Sequence, residues 1–361
     1  MNKRLRTILQ YTFFFGLGFF FTWLSLRNLD AEKIRQIKSA FSHARQWLII
    51  PVFFALLASH FIRGLRWRLL IESLGYKPSP INTFFAVMIG YLANMAVLRL
   101  GEVMKCTVLA RTEKIPADEL IGTIILERLI DAITVMLVFA ITLALQPGLY
   151  DQLLETFFGQ PSGSSGNSAS TLVLTLVLLG IVAALVALWM IIRKKTFADL
   201  KRIVRRVWKS VIEGITAIRH LKKRGQFLVL TLLLWGIYLS GGYIGFMALR
   251  ETQAYGIREA FTVLSAGSIG MIASPGGIGA YAYLIEKTMQ LYGLSYTIAL
   301  AFGWILWLAQ TTVIVTGGLF SFVALPIYNK NRQHEKSRPG TDKNSYTPPA
   351  PAAGGTMETP E

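Results

Sequence analysis

The chain has 361 residues, of which 53% are hydrophobic and only 16% charged, and its mean hydropathy is +0.47. A soluble domain carries about 25% charge, so these proportions exclude an ordinary soluble enzyme, a disordered chain and a collagen. The formal net charge of +17 must therefore sit in loops and ends, against anionic lipid headgroups of the cytoplasmic leaflet rather than against nucleic acid. The apolar residues fall in long blocks, several of which reach the roughly 20 residues that span a bilayer core. An all-α polytopic membrane protein is expected, because only helices and closed barrels satisfy their backbone in lipid. The single cysteine, Cys106, excludes an internal disulfide. Four dispersed histidines, His43, His60, His220 and His334, fit no zinc spacing, so no metal or cofactor is expected.

Residues 1–6 are basic and 8–26 apolar, which predicts an uncleaved first span, since the run is too long for a signal peptide and no cleavage site follows. In 30–45, Ile34, Ile37, Phe41 and Ala44 form a stripe at helical spacing, with Lys33, Arg35, Lys38 and Arg45 off it, the pattern of a helix lying in the interface. A second span covers 47–62 and ends in the basic run Arg63, Arg66, Arg68. Residues 82–98 are apolar but broken by Gly90 and Asn94, stop at Arg99-Leu100-Gly101-Glu102, and lead into a short arm over 103–110. A third span, 120–145, carries Glu127, Arg128 and Asp131. A Gly/Ser-rich linker without basic residues (146–170), a fourth span (171–192) and a basic amphipathic stretch (193–224) follow. In that stretch Leu200, Ile203, Val204, Val207, Trp208, Val211, Ile212 and Ile215 form the apolar stripe of a second interfacial helix. The fifth span is 227–249. Short arms at 259–273 and 280–292 flank Ser274-Pro275-Gly276-Gly277-Ile278-Gly279, the sixth span lies within 296–325, and a polar tail closes the chain.

The bias of Lys and Arg toward the cytoplasm places both termini and the basic stretch inside. Hairpin 82–110 then enters and leaves from the inside, and hairpin 259–292 from the outside. Two halves of opposite orientation result, each a span, a re-entrant hairpin and a span, making about six spans and an inverted repeat. A shift of 176 residues aligns Ile81 with Ile257, Phe85 with Phe261, Val87 with Val263, Met95 with Met271 and Gly101 with Gly277. The organisation expected is 1–46, first span and interfacial helix; 47–145, first repeat; 146–225, linker, span and basic helix; 226–325, second repeat; 326–361, disordered cytoplasmic tail.

Three groups of residues could carry function. Arg99, Glu102 and Lys105 surround the first break; charge deep in a bilayer is costly and usually faces a partnered interior cavity. Arg99 suits a phosphate held through two hydrogen bonds, and Glu102 suits Arg99 or a cationic headgroup. Glu127 and Asp131, four apart, share a helix face, with Arg128 three before Asp131. Asp131 lies roughly 16 Å into its span. Either a substrate role or an Arg128–Asp131 pair, with Glu127 meeting the first hairpin, fits this spacing. Pro275, Gly276, Gly277 and Gly279 open a helix arm whose amides could meet an anion, or simply make a tight turn. Trp304, Trp307 and Gln310 share a face suited to packing. No nucleophile elbow, phosphate loop, dinucleotide fingerprint or zinc-protease motif occurs, and no non-membrane stretch exceeds about thirty residues, too short to fold alone, so no enzyme is expected.

Asn94, Arg99-Leu100-Gly101-Glu102-Val103-Met104-Lys105, Glu127-Arg128-Leu129-Ile130-Asp131 and Pro275-Gly276-Gly277-Ile278-Gly279 resemble the flippase-like transmembrane domain of lysylphosphatidylglycerol synthases. The resemblance covers residues 5–325. It departs at Val97, where the family often has Pro, at Lys105, where it often has Arg, and at Ala282, where it often has Glu. In the synthases this domain moves an aminoacylated phospholipid between leaflets, and a soluble domain makes that lipid. The resemblance without that second domain implies translocation of a lipid or lipid-linked substrate in a bacterial-type plasma membrane, with phospholipids as partners and a homo-oligomer left open. The alternatives are a non-transporting scaffold for a lipid- or glycan-modifying enzyme, suggested by the basic stretch and tail, and, last, an intramembrane acid–base enzyme.

Overall fold

A computed structural model describes residues 3–27, 29–97, 100–146, 148, 221 and 223–336. The expected fourth span, the basic amphipathic helix, residue Arg99 and the end of the tail lie outside them. The described residues form ten α-helices and no strand. Helix α1 (Lys3–Leu26) is followed by α2 (Ala31–His43), which starts where the Asp30 carboxylate accepts the Lys33 N–H at 2.8 Å. A 3₁₀ turn at Gln46–Leu48 leads into α3 (Ile49–Glu72). Helix α4 (Pro80–Ala96) opens with proline, whose missing N–H costs nothing in a first turn. Then come α5 (Leu100–Glu113), α6 (Ala117–Leu145), α7 (Arg224–Phe246) and α8 (Ile257–Ala273), the last capped by the Glu259 carboxylate on the Gly256 N–H at 2.7 Å. A turn at Pro275–Gly277 precedes α9 (Ala280–Leu291) and α10 (Tyr296–Lys336).

Residues Gln46–Glu72, Arg224–Phe246 and Tyr296–Arg332 are long and apolar enough to cross a membrane. Helix α6 has 29 residues and buries Glu127 and Asp131 within that length. Most of the helix pairs map onto one another when the halves α3–α6 and α7–α10 are exchanged. Thus α3 packs on α4, α4 on α5 and α5 on α6, while α7 packs on α8, α8 on α9 and α9 on α10. Between the halves, α4 packs on α10 as α8 packs on α6, and α3 packs on α7. Each half has its own core: Trp67, Leu70, Ile71, Ala86, Cys106, Leu109 and Leu120 in the first, and Phe246, Ala260, Val263, Ile285 and Phe302 in the second.

The structure corrects several sequence expectations. Helix α3 continues to Glu72 rather than stopping at Ile62, because Trp67, Leu69, Leu70 and Ile71 resume a buried face beyond the basic residues. The first break opens at Val97, which is extended, and the next helix has begun by Leu100, so Gly101 and Glu102 are already helical. Helix α10 runs through Pro326 to Lys336, so 326–336 is not tail. It is anchored there by paired carboxamides of Asn82 and Asn329 (2.9 and 3.1 Å), a Ser79–Tyr328 hydroxyl contact (3.1 Å) and an Arg332–Glu113 ion pair (2.7 Å). On α2, Ile34 and Phe41 of the apolar stripe are exposed on the protein surface, and Ala40 packs against the protein.

Helices α4 and α5 meet backbone to backbone. A Cβ on Gly101 would overlap the Gly90 carbonyl oxygen and the Asn94 carboxamide, whose oxygen accepts the Gly101 N–H at 2.7 Å. Gly101→Val is therefore expected to cost about 1–3 kcal/mol of overpacking. Buried Cys106, the sole thiol, reports it: on heating, the thiol should react with a fluorogenic maleimide at a temperature several degrees lower than in the wild type.

Candidate functional site

Helix α3 presents Arg63 and Arg66 on one face, α6 presents Glu127 and Asp131 on one face, and α5 sends Lys105 between them. Arg63 Nη1 lies 2.6 Å from Asp131 and 3.5 Å from Glu127. Arg66 Nη2 lies 2.5 Å from Asp131 and 3.4 Å from Glu127. Lys105 Nζ donates to Glu127 Oε2 at 2.7 Å. All five residues are buried, Arg66 and Glu127 completely and Asp131, the most open, at 8% exposed. Aromatic rings close over the charges. Lys105 Nζ sits 4.0 Å from the Trp67 ring centroid, and Trp67 Nε1 donates to Thr123 Oγ1 at 2.9 Å. Arg66 lies against Phe227, and Arg63 lies against Tyr91 while donating to the Tyr238 hydroxyl at 3.1 Å.

Three cations here face two carboxylates, an excess of one positive charge. The hydrogen bonding is unbalanced in the same direction: Arg63 Nε and Arg66 Nε and Nη1 are buried without an acceptor. Buried donors of this kind are normally satisfied, so the cluster is short of an acceptor and short of a negative charge. At its edge Arg128 and Glu102 pair at 3.5 Å, both partly exposed, and Glu102 Oε2 has no partner.

The site residues read from the sequence are thus regrouped. Glu127 does meet the first hairpin, through Lys105. Asp131 pairs with Arg63 and Arg66 rather than with Arg128, and Lys105 turns from Glu102 toward Glu127. Arg63 and Arg66 escaped the sequence analysis because a basic run after an apolar stretch matches the signature of a cytoplasmic helix end. The available clue was the return of apolar residues at Trp67 and Leu69–Ile71, which keeps the arginines inside the helix. His60 is buried against Tyr91 with ring centroids 4.9 Å apart.

Pro275, Gly276, Gly277 and Gly279 build the second break. Gly276, Gly277 and Gly279 have φ of 59°, 72° and 69°, a left-handed path open to glycine without strain. The N–H groups of Gly277, Ile278 and Ala280 bond to Ser274, Pro275 and Ile278 carbonyls at 2.8–3.2 Å, so these amides close the turn rather than face outward. The two breaks meet: Gly276 lies against Met95 at the end of α4. Trp307 Nε1 donates to the Gly276 carbonyl and Gln310 Nε2 to the Tyr281 hydroxyl, each at 2.9 Å, so the face shared with Trp304 braces this turn. Gly279 packs on Gly18 and Thr22 of α1.

Two matched helical halves, each with an interrupted helix pair and with an ionised cluster buried in one of them, define a polytopic membrane protein of repeat architecture. The family model described as the lysylphosphatidylglycerol synthase transmembrane region matches residues 8–318, and the chain belongs to that family. No curated protein and no solved structure matches it.

Proposed function

We propose that this protein moves a phospholipid, or another lipid-linked anion, between the leaflets of a bacterial-type plasma membrane. The headgroup phosphate binds beside the buried cluster, between the two interrupted helix pairs, while the acyl chains stay in lipid. The observation that carries this is the unbalanced cluster: an excess positive charge and unpartnered guanidinium N–H groups, which a phosphate oxygen would satisfy with short, charge-assisted bonds. The partly exposed Arg128–Glu102 pair marks the edge through which a headgroup enters.

Helix lengths support a re-entrant arrangement. At 1.5 Å per residue, α4 and α5 are about 26 and 21 Å long, and α8 and α9 about 26 and 18 Å. All four fall short of a hydrocarbon core of about 30 Å. Each pair would dip in and return, the first from the cytoplasm and the second from outside, with both termini cytoplasmic. The irregular backbone would then lie at depth, where protein must cover it, as Met95 and Gly276 cover one another. Rocking of one half against the other would expose the cluster alternately to the two sides. The chain makes and breaks no bond in the lipid.

Equilibrium binding tests the first step. Detergent-solubilised protein should bind fluorescent phosphatidylglycerol, with affinity falling as salt rises and with inorganic phosphate competing. Saturation that neither salt nor phosphate weakens would mean that the acyl chains alone are recognised, and would refute a headgroup site.

A further inference from the structure

Among the described residues, the buried carboxylates are of two kinds. Glu127 and Asp131 are each held by two or three cations within 3.5 Å. A proton added to either would leave Arg63, Arg66 and Lys105 facing a single negative charge in a medium where unpaired charge is costly. Glu286, on α9, is as deeply buried at 1% exposed but is loosely held. Its cation is the adjacent Lys287 at 3.1 Å. Its remaining contacts are long, 3.5 Å from Ser25 Oγ on α1 and 3.4 Å from Gln290 Nε2.

The surroundings fit both charge states of Glu286. Lys287 is 29% exposed, contacts Gln290 Oε1 at 3.3 Å and lies over the Tyr283 ring, so it keeps partners when Glu286 is neutral. A neutral carboxyl retains Ser25 Oγ as acceptor. From α10, Tyr296 donates to the Ser25 carbonyl at 2.6 Å. From α2, Lys33 faces the Tyr296 ring and pairs with Asp30 at 3.0 Å, and from α1, Arg27 lies over Trp23. None of these makes an ion pair with Glu286. Helix α9 itself follows the glycine turn 276–279, the element that would move when the second hairpin rocks.

We propose that Glu286 carries a proton during translocation, so that lipid movement is coupled to proton movement; this rests on the translocator reading above. The carboxylate forms an O–H bond with a proton delivered by water at the outer end of α9, where Lys287 emerges. The same bond breaks on the opposite side after the hairpin moves. Lys287 takes no part in the transfer, and nothing is oxidised or reduced. Buried membrane carboxylates commonly serve as such relays.

The test uses the full chain in vesicles of phosphatidylcholine and fluorescent phosphatidylglycerol, with a pH dye in the lumen and a pH gradient of either sign. Wild-type protein should exchange lipid several-fold faster under one gradient than the other, with a matching change in lumenal pH. Glu286→Gln should exchange at one rate under both, and Glu286→Asp should retain the dependence. Equal wild-type rates under both gradients overturn the proposal without any variant, and so does a Glu286→Gln protein as gradient-sensitive as wild type. Absence of exchange in wild-type protein under every condition overturns the translocator reading itself.

Discussion

Glu127→Gln is expected to destabilise the fold by about 3–5 kcal/mol, the range for removing one partner of a buried ion pair. The substitution keeps the shape of a completely buried side chain and removes only its charge. Arg63, Arg66 and Lys105 are then left with Asp131 alone. Labelling of Cys106 on heating should show the loss as the largest shift among single conservative changes in the cluster. The double variant Lys105→Met, Glu127→Gln returns the excess to one positive charge and removes the 2.7 Å pair as a unit. It should be markedly more stable than the sum of the single changes predicts, which is the signature of direct coupling. Additive losses would mean that the two side chains act independently.

Arg66→Met should behave in the opposite way. Without Arg66 the cluster holds Arg63 and Lys105 against Glu127 and Asp131, a balanced set. Two of the three unpartnered guanidinium nitrogens of the cluster disappear with it. The fold should therefore tolerate Arg66→Met better than Glu127→Gln, while binding of fluorescent phosphatidylglycerol falls by at least about tenfold, the loss of roughly 1.4 kcal/mol or more that a charge-assisted contact supplies. A variant that binds normally would make the excess charge a structural feature with no ligand. A simple scale of buried charge, one change costing the same as another, does not produce this inversion.

Much of the architecture was legible before the structure. Periodicity and breakers located the described helices, and Pro275–Gly279 marked the second pair of arms, whereas the first break was expected at 99–102 and the chain already turns extended at Val97, with Gly101 inside the next helix. Glu127 and Asp131 stood out because carboxylates inside an apolar run need partners. Their partners were not legible, because pairing across α3, α5 and α6 depends on helix rotation, which the spacing of one segment does not set. Arg63 and Arg66 were masked by a rule that is right for most basic residues beside a span. The end of α10 was missed for a related reason: Asn329 and Arg332 look like tail residues until Asn82 and Glu113 on the first hairpin supply their partners. The glycine turn was found, but whether its amides face outward or close on themselves is decided by ψ angles that composition does not reveal.

Leaflet exchange of fluorescent phosphatidylglycerol in vesicles containing the purified protein, with Arg66→Met run beside it, tests the central claim most directly. Exchange well above protein-free vesicles, lost in Arg66→Met although that variant stays folded by the Cys106 assay, is the predicted result. Exchange at the protein-free rate, or exchange indifferent to the loss of Arg66, would contradict a phosphate-guided translocator centred on this cluster.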